Sequence, residues 1–178
     1  MTRPLTSLRT TTVYAGSKLT VEEEQVRLPT GKLARHVTVR HPGAVVFIPR
    51  RDDGALLVLS QYRHSVRQSL LEFPAGTLER GEEPLACAQR EIAEEVGHTA
   101  AHWEPLGKLY PAPGFCDEVQ HGFFATGLTP CEAEPDDDEI IEVVPMPSAD
   151  VLQAIQSGAM MDGKSIALYF RAQLRGLL

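Results

Sequence analysis

An α/β (α+β) fold with a small antiparallel sheet at the N-terminal end is predicted by three features of the 178-residue chain. Apolar and polar residues alternate with period two between about residues 13 and 39. GAVVFIP is a short, uninterrupted apolar run, and Pro84 to Val96 is a sharply punctuated helical segment.

The first segment, TTVYAGSKLTVEEEQVRL and LARHVTV, reads as two or three strands joined through the turn Pro29-Thr30-Gly31-Lys32. Residues 1–41 are therefore expected to form an N-terminal β-sheet segment, and 42–178 the main domain. GAVVFIP has the continuous apolarity of a strand buried on both faces. ALLVLSQYR, beyond the polar turn Arg50-Arg51-Asp52-Asp53-Gly54, is expected to pair with it as a hairpin. Residues 70–74 make a short strand leading into Gly76. Pro84 suits a first helical position and Gly97 the residue just past a helix end. On a helical wheel Leu85, Ala88, Ile92 and Val96 form a packing face, whereas Glu91, Glu94 and Glu95 cluster elsewhere. Strands are expected at 104–110, 119–125 and 139–144. Two helices close the chain, 148–157 with Ser148 as N-cap, and 164–174 with Ile166, Phe170 and Leu174 on one stripe.

Composition narrows the function. Hydrophobic residues make up 43% and charged residues 23%, which excludes a disordered, collagen-like or coiled-coil chain. Lys plus Arg number 17 against 24 Asp plus Glu, a net charge of −7. That sign excludes gripping nucleic acid by bulk charge, so an anionic substrate needs bound cations or local arginines. Cys87, Cys116 and Cys131 show neither a disulfide framework nor zinc-ligand spacing. With no signal-like or membrane-length apolar run, a soluble cytoplasmic protein without a membrane partner is expected.

Glu91, Glu94 and Glu95, at i, i+3 and i+4, repel one another. Arg90 is placed to pair with Glu94, which leaves Glu91 and Glu95 facing one space. A hard divalent cation is their natural partner, and magnesium typically joins one or two carboxylates to substrate phosphates. A solvated acidic helix face is the plain alternative.

The surrounding residues bear on that choice. From Gly76 the chain runs five residues to Glu82, seven more, then Arg90-Glu91-Ile92-Ala93-Glu94-Glu95-Val96-Gly97. This resembles the Nudix box, with one departure: His98 stands where the box has an aliphatic residue, at a position that carries no metal ligand. The resemblance implies an α-β-α sandwich with a mixed central sheet and hydrolysis of a nucleoside diphosphate linked to another group. It implies Mg²⁺ or Mn²⁺, two or more ions per site, held by Glu91, Glu95 and the carbonyl of Ala75. Glu94 often takes a second ion and so stands among the catalytic candidates too. Gly76, Glu82, Arg90 and Gly97 take structural roles.

Beyond the box, Gln61-Tyr62-Arg63, Leu71-Glu72-Phe73-Pro74-Ala75-Gly76 and Tyr110-Pro111-Ala112-Pro113-Gly114 look like segments of the ADP-ribose pyrophosphatase branch. That likeness implies Arg63 on phosphate, Glu72 near the ribose or the metals, and Pro113 and Gly114 in a substrate loop. It implies a general base on a late acidic loop, with Glu139 the choice and Glu142 the alternative. It also implies a homodimer through the N-terminal sheet, with Tyr14 stacking on the base and Arg35 reaching the base or the phosphates. ADP-ribose, cleaved to AMP and ribose 5-phosphate, is the expected substrate. ADP-sugars, GDP-mannose and dinucleoside polyphosphates are alternatives, as is a non-catalytic ADP-ribose sensor.

Overall fold

The computed structural model describes residues 5–132 and 140–178. It contains two compact units, one built from residues up to Gly43 together with Tyr110–Val119, the other from Ala44–Leu109 together with Gln120–Leu178.

The first unit is an antiparallel meander of β1 (Thr6–Ala15), β2 (Thr20–Arg27) and β3 (Leu33–Arg40). The turn before β3 needs a residue at positive φ, and Gly31 supplies it at 84°. Segment 110–119 joins β3 through a parallel bridge between Val39 and Cys116. Asp117 fastens it by accepting from Arg40 Nη1 at 3.0 Å and from the His41 N–H at 2.9 Å.

The second unit holds β4 (Ala44–Pro49), β5 (Leu56–Arg63), β6 (Gln68–Glu72), β7 (Ala75–Thr77), α1 (Pro84–Val96), β8 (His98–Leu109), β9 (Gln120–Pro130), β10 (Ile141–Met146), α2 (Ser148–Ser157) and α3 (Gly163–Leu174). One sheet has the order β7-β4-β9-β8 and is mixed, because β4 and β9 run parallel while the outer pairs are antiparallel. A second sheet has the order β10-β5-β6. The apolar run of β4 is explained by its two neighbours in depth. Val45 and Phe47 pack with Cys87, Ala88, Ile92 and Val96 of α1, while Val46 and Ile48 pack with Val151, Leu168 and Tyr169 of α2 and α3. Helices thus cover both faces, as an α-β-α sandwich requires. Among the described residues no helix is long and apolar enough to cross a membrane.

Four local expectations are corrected. β4 and β5 are joined by a tight turn, with the Arg51 N–H on the Ala55 carbonyl at 2.9 Å. They meet only at the bridge Arg50↔Leu56 and then enter different sheets, so they are not a hairpin. Leu85 is exposed, and the buried face of α1 takes Cys87 and Glu95 with the other apolar residues instead. Ser148 is the first helical residue of α2 rather than its cap, because extended Pro147 occupies that position; the Ser148 carbonyl accepts from the Tyr169 hydroxyl at 3.0 Å. In α3 Phe170 and Leu174 face outward, while Ser165, Leu168, Tyr169 and Ala172 are buried.

Candidate active site

α1 is bounded as its punctuation implies. Pro84 sits in the first turn, and Gly97, at φ 66°, returns its N–H to Ala93 and Ile92. One face of the helix lies in the core, which fixes the rotation that presents Glu91, Glu94 and Arg90 together.

Arg90 answers more charge than its spacing suggests. Nη1 donates to Glu91 Oε1 at 2.7 Å and to Glu94 Oε2 at 2.8 Å, and Nε donates to Glu82 Oε1 at 3.1 Å. Hydrogen bonding to Glu82 first, and then the charge of Glu91 and the hydrogen bonds to Glu91 and Glu94, outweigh burial and raise the Arg90 pKa above its usual value. The same bond holds the Glu82 carboxyl below the ordinary carboxylate range. Glu82 Oε2 also accepts from the Glu79 N–H at 2.9 Å, tying the loop before α1. Beneath this cluster Cys87 is fully buried, and desolvation pushes its thiol up to about 12.

Glu95, on the core side of the helix, accepts from the Ala75 N–H at 3.0 Å. It thereby ties the last turn of α1 to β7. Gly76 lies beneath Glu91, and a Cβ at that position would stand 1.9 Å from Glu91 Cδ and 2.0 Å from Oε1. Only glycine leaves that carboxylate its place.

A hard divalent cation fits this donor set. The oxygens of Glu91, Glu94 and Glu95 share one end of a helix, beside the Ala75 peptide and over a glycine whose side chain would fill the space. Among the described residues no three acidic, His or Cys side chains are already gathered around one point. Arg90 draws Glu91 and Glu94 aside, and Glu95 is turned to Ala75. A metal held here would take Glu91, Glu94 and Glu95 in exchange for these bonds.

Arg63, at the end of β5, and Glu72, at the end of β6, pair with each other. Nε donates to Oε1 at 2.7 Å and Nη2 to Oε2 at 2.9 Å. Burial opposes the Arg63 charge, yet the hydrogen bonds and charge of Glu72 outweigh it and raise the pKa. Glu72 is only 1% exposed. Its second cation is Lys164 of α3, whose Nζ is ion-paired with Oε2 and lies 3.0 Å from Asp162 Oδ2. Sequence reasoning missed Lys164, Asp162 and Ser165. The one readable signal was Asp162 three residues before Ser165, whose N–H it caps at 3.0 Å.

In the first unit, Tyr14 is 57% exposed on β1, and the Arg35 side chain on β3 is 72% exposed, 3.6 Å from Glu23. Pro113 and Gly114 line a cavity of about 490 Å³ with Glu24, His36, Thr38 and Tyr110. Glu142 is exposed on β10, opposite Ser60 of β5. Glu139 lies outside the described residues.

Comparison with known proteins bears on what this arrangement serves. The ADP-ribose pyrophosphatase of Bacillus subtilis (strain 168) is 36% identical over 168 residues, 93% of this chain and 91% of that protein. The methanol dehydrogenase activator of Bacillus methanolicus is 33% identical over 174 residues, 97% of this chain and 94% of that protein. A crystal structure described as an ADP compounds hydrolase superposes with a TM-score of 0.85 at 25% identity, covering 100% of this chain and 99% of that one. The NUDIX domain model matches residues 39–168, a span that takes in Gly76, the whole of α1 and the strands on either side of it. With its glutamate-bearing helix laid over Gly76 and that match across well over half its length, the chain belongs to the Nudix family.

Proposed function

We propose that the protein is a Nudix hydrolase that cleaves the diphosphate of ADP-ribose to AMP and ribose 5-phosphate. The observation that carries the reading is the α1 carboxylate face, Glu91, Glu94 and Glu95, laid against Gly76 and Ala75. The identity to an ADP-ribose pyrophosphatase over nearly the whole chain favours this substrate among nucleoside diphosphate-sugars.

Nudix hydrolases generally need a divalent metal. Here Mg²⁺ or Mn²⁺, two or more ions, would be held by Glu91, Glu95, Glu94 and the Ala75 carbonyl. Bound there, such ions neutralise diphosphate oxygens and acidify water. The chain's own residues do the rest. Arg90 holds Glu91 and Glu94 on one side of the helix and fixes the approach to them. Arg63, steadied by Glu72, meets a phosphate oxygen. Glu139 takes the proton of the attacking water, and Glu142 is the alternative base. The first unit is the dimer-forming element, and the exposed Leu8, Val13, Tyr14, Leu33 and Val37 on its three-stranded sheet support that reading. Across such a dimer Tyr14 and Arg35, with Pro113 and Gly114, serve the nucleotide. A cytoplasmic location belongs to the same reading.

Product analysis tests it. Purified protein with ADP-ribose and Mg²⁺ is expected to release AMP and ribose 5-phosphate. EDTA abolishes release, and Glu91→Gln and Glu95→Gln each lower kcat by at least about a hundredfold with the fold intact. Equal kcat/KM for GDP-mannose would remove the ADP-ribose assignment and keep the chemistry. The likeness to a dehydrogenase activator favours one second reading, a protein that acts on a partner. Binding of ADP-ribose without turnover would select it.

A further inference from the structure

Residues 110–119, the connection from β8 to β9, carry Pro113 and Gly114, and none of these ten residues is buried. With no side chain in a core, the segment depends on hydrogen bonds for its position. Its tip first folds on itself. The Phe115 and Cys116 N–H groups both donate to the Ala112 carbonyl, at 3.1 and 2.9 Å, and close a turn around Pro113 and Gly114. Pro113, with its fixed φ, stiffens that turn.

Four hydrogen bonds then attach the turn to residues 39–41. The Val39 N–H donates to the Phe115 carbonyl at 2.7 Å, and the Asp117 N–H donates to the Val39 carbonyl at 3.1 Å. The Asp117 carboxylate accepts from the His41 N–H at 2.9 Å through Oδ1 and from Arg40 Nη1 at 3.0 Å through Oδ2. Asp117 therefore makes three of the four. Arg40 is itself held, because its Nε donates to Glu22 Oε2 of β2 at 2.7 Å, so the guanidinium that grips Asp117 is aimed from the neighbouring strand. Pro113, Gly114 and Phe115 line the cavity of about 490 Å³ together with Glu24, His36 and Thr38. The β2–β3 ladder fixes the last three, with Glu24 directly opposite His36. The Asp117 latch fixes the first three.

We propose that Asp117 is a positioning residue for the nucleotide half of the substrate: by clasping Arg40 and the His41 N–H it holds the Pro113–Gly114 turn on β3, where that turn meets the substrate. This deepens the hydrolase reading above and rests on its assignment of Pro113 and Gly114. Asp117 acts through the turn and touches no substrate itself. A turn seated in every molecule binds at full affinity, whereas one seated about a tenth of the time binds about tenfold more weakly. Because the turn meets the nucleotide and not the reacting phosphorus, its loss raises KM and spares kcat.

The test uses the full chain with Asp117→Ala, Asp117→Asn and, as a control, Glu22→Gln, assayed as kcat and KM for ADP-ribose at saturating Mg²⁺. Asp117→Ala is expected to raise KM about tenfold with kcat within about threefold, and Asp117→Asn, which keeps an acceptor for the His41 N–H, to raise KM about threefold. Glu22→Gln leaves both bonds of the Asp117 carboxylate in place and is expected to keep KM within about twofold of wild type. A second readout needs no turnover. Phe115 is 61% exposed, so chymotrypsin reaches the Phe115–Cys116 bond whenever the turn leaves β3. Nicking there, located by mass spectrometry in protein without substrate, is expected to be at least about tenfold faster in Asp117→Ala than in wild type. Unchanged nicking, an unchanged KM in Asp117→Ala, a fall in kcat in place of the rise in KM, or an equal rise in KM in Glu22→Gln would each overturn the proposal. If Asp117→Ala does not fold, Asp117→Asn carries both readouts, with a change of about threefold expected and no change overturning the proposal. The two claims fail separately. Absence of ADP-ribose turnover in the wild type defeats the hydrolase reading, and the variants are then scored on the Kd of ADP-ribose by calorimetry with the same fold-changes. Absence of binding as well overturns both.

Discussion

Replacing Gly76 with alanine isolates the contact on which the carboxylate face depends. No positive φ is required of Gly76, so alanine strains the backbone little, and the penalty falls on Glu91. The new Cβ would stand 1.9 Å from Glu91 Cδ and 2.2 Å from Cγ. A carbon pair rests at about 3.5 Å, so the Glu91 carboxylate must swing by about 1.6 Å or more. That swing forfeits its 2.7 Å bond from Arg90, a charge-assisted bond of about 1.5–3 kcal/mol, softened because Arg90 keeps Glu82 and Glu94. The net loss is about 2 kcal/mol, or about 4–8 °C in Tm for a chain of this length. Activity suffers more, since misplacing a reacting group by about 1 Å costs on the order of a hundredfold. The assay is AMP release from ADP-ribose with calorimetric Tm alongside. Gly76→Ala is expected to lower kcat at least about a hundredfold, and the double variant Gly76→Ala/Glu91→Ala to recover most of the Tm and none of the activity. A kcat within about threefold of wild type would refute the role given to this glycine and to Glu91 together.

Three further outcomes follow from the same structure. The Glu82 carboxyl is held below its ordinary range by Arg90, so its contribution to stability is full above the unfolded carboxyl pKa of about 4.3 and is lost as pH falls through the lower folded value. Urea unfolding of wild type and Glu82→Gln should therefore converge only below about pH 4.3, and a gap independent of pH would contradict it. Thiol titration of native protein at pH 8 should modify Cys116 and Cys131 and spare Cys87, which is buried with its thiol pushed up to about 12; labelling of all three without denaturant would show that α1 opens. Gly122→Ala places a Cβ 2.4 Å from Leu168 Cδ1, with the Gly107 carbonyl and Leu106 Cβ at 3.3 and 3.4 Å. Leu168 is fully buried and has nowhere to go, so a loss of about 1–3 kcal/mol in chemical denaturation is expected, and unchanged stability would mean the β9–α3 contact is looser than described.

What the chain revealed before its structure was known was chiefly what is local. Pro84 and Gly97 bound α1 because each acts on its own few dihedrals, and the continuous apolarity of β4 reports burial on both faces whatever its partners are. Partner choice is not local. The turn at Arg51–Ala55 forms, yet β4 gains its burial from β7 and β9, and β5 from β6 and β10, so adjacency in sequence misleads. The α3 stripe holds only in part: Ile166 packs against the core, but the helix is rotated so that Ser165, Leu168, Tyr169 and Ala172 are buried and Phe170 and Leu174 are exposed. Ser148 looked like a cap by residue type, whereas the fixed φ of Pro147 had already taken that place. At the site, the box glutamates were readable from spacing. The pairing of Arg90 with Glu94 was readable too, but its reach back eight residues to Glu82 was not, nor was Lys164, 92 residues beyond Glu72.

That separation gives the protein an order of assembly. Glu72 leaves the ribosome long before Lys164, and β4 waits for β9 as its parallel neighbour, so the central sheet and the corner that holds Glu72 are both closed by chain made late. A nascent chain that already carries every glutamate of α1 still holds Glu72 without its lysine. The motif is thus finished in sequence well before its surroundings are finished in space, and Glu72 gains its second cation only when α3 docks.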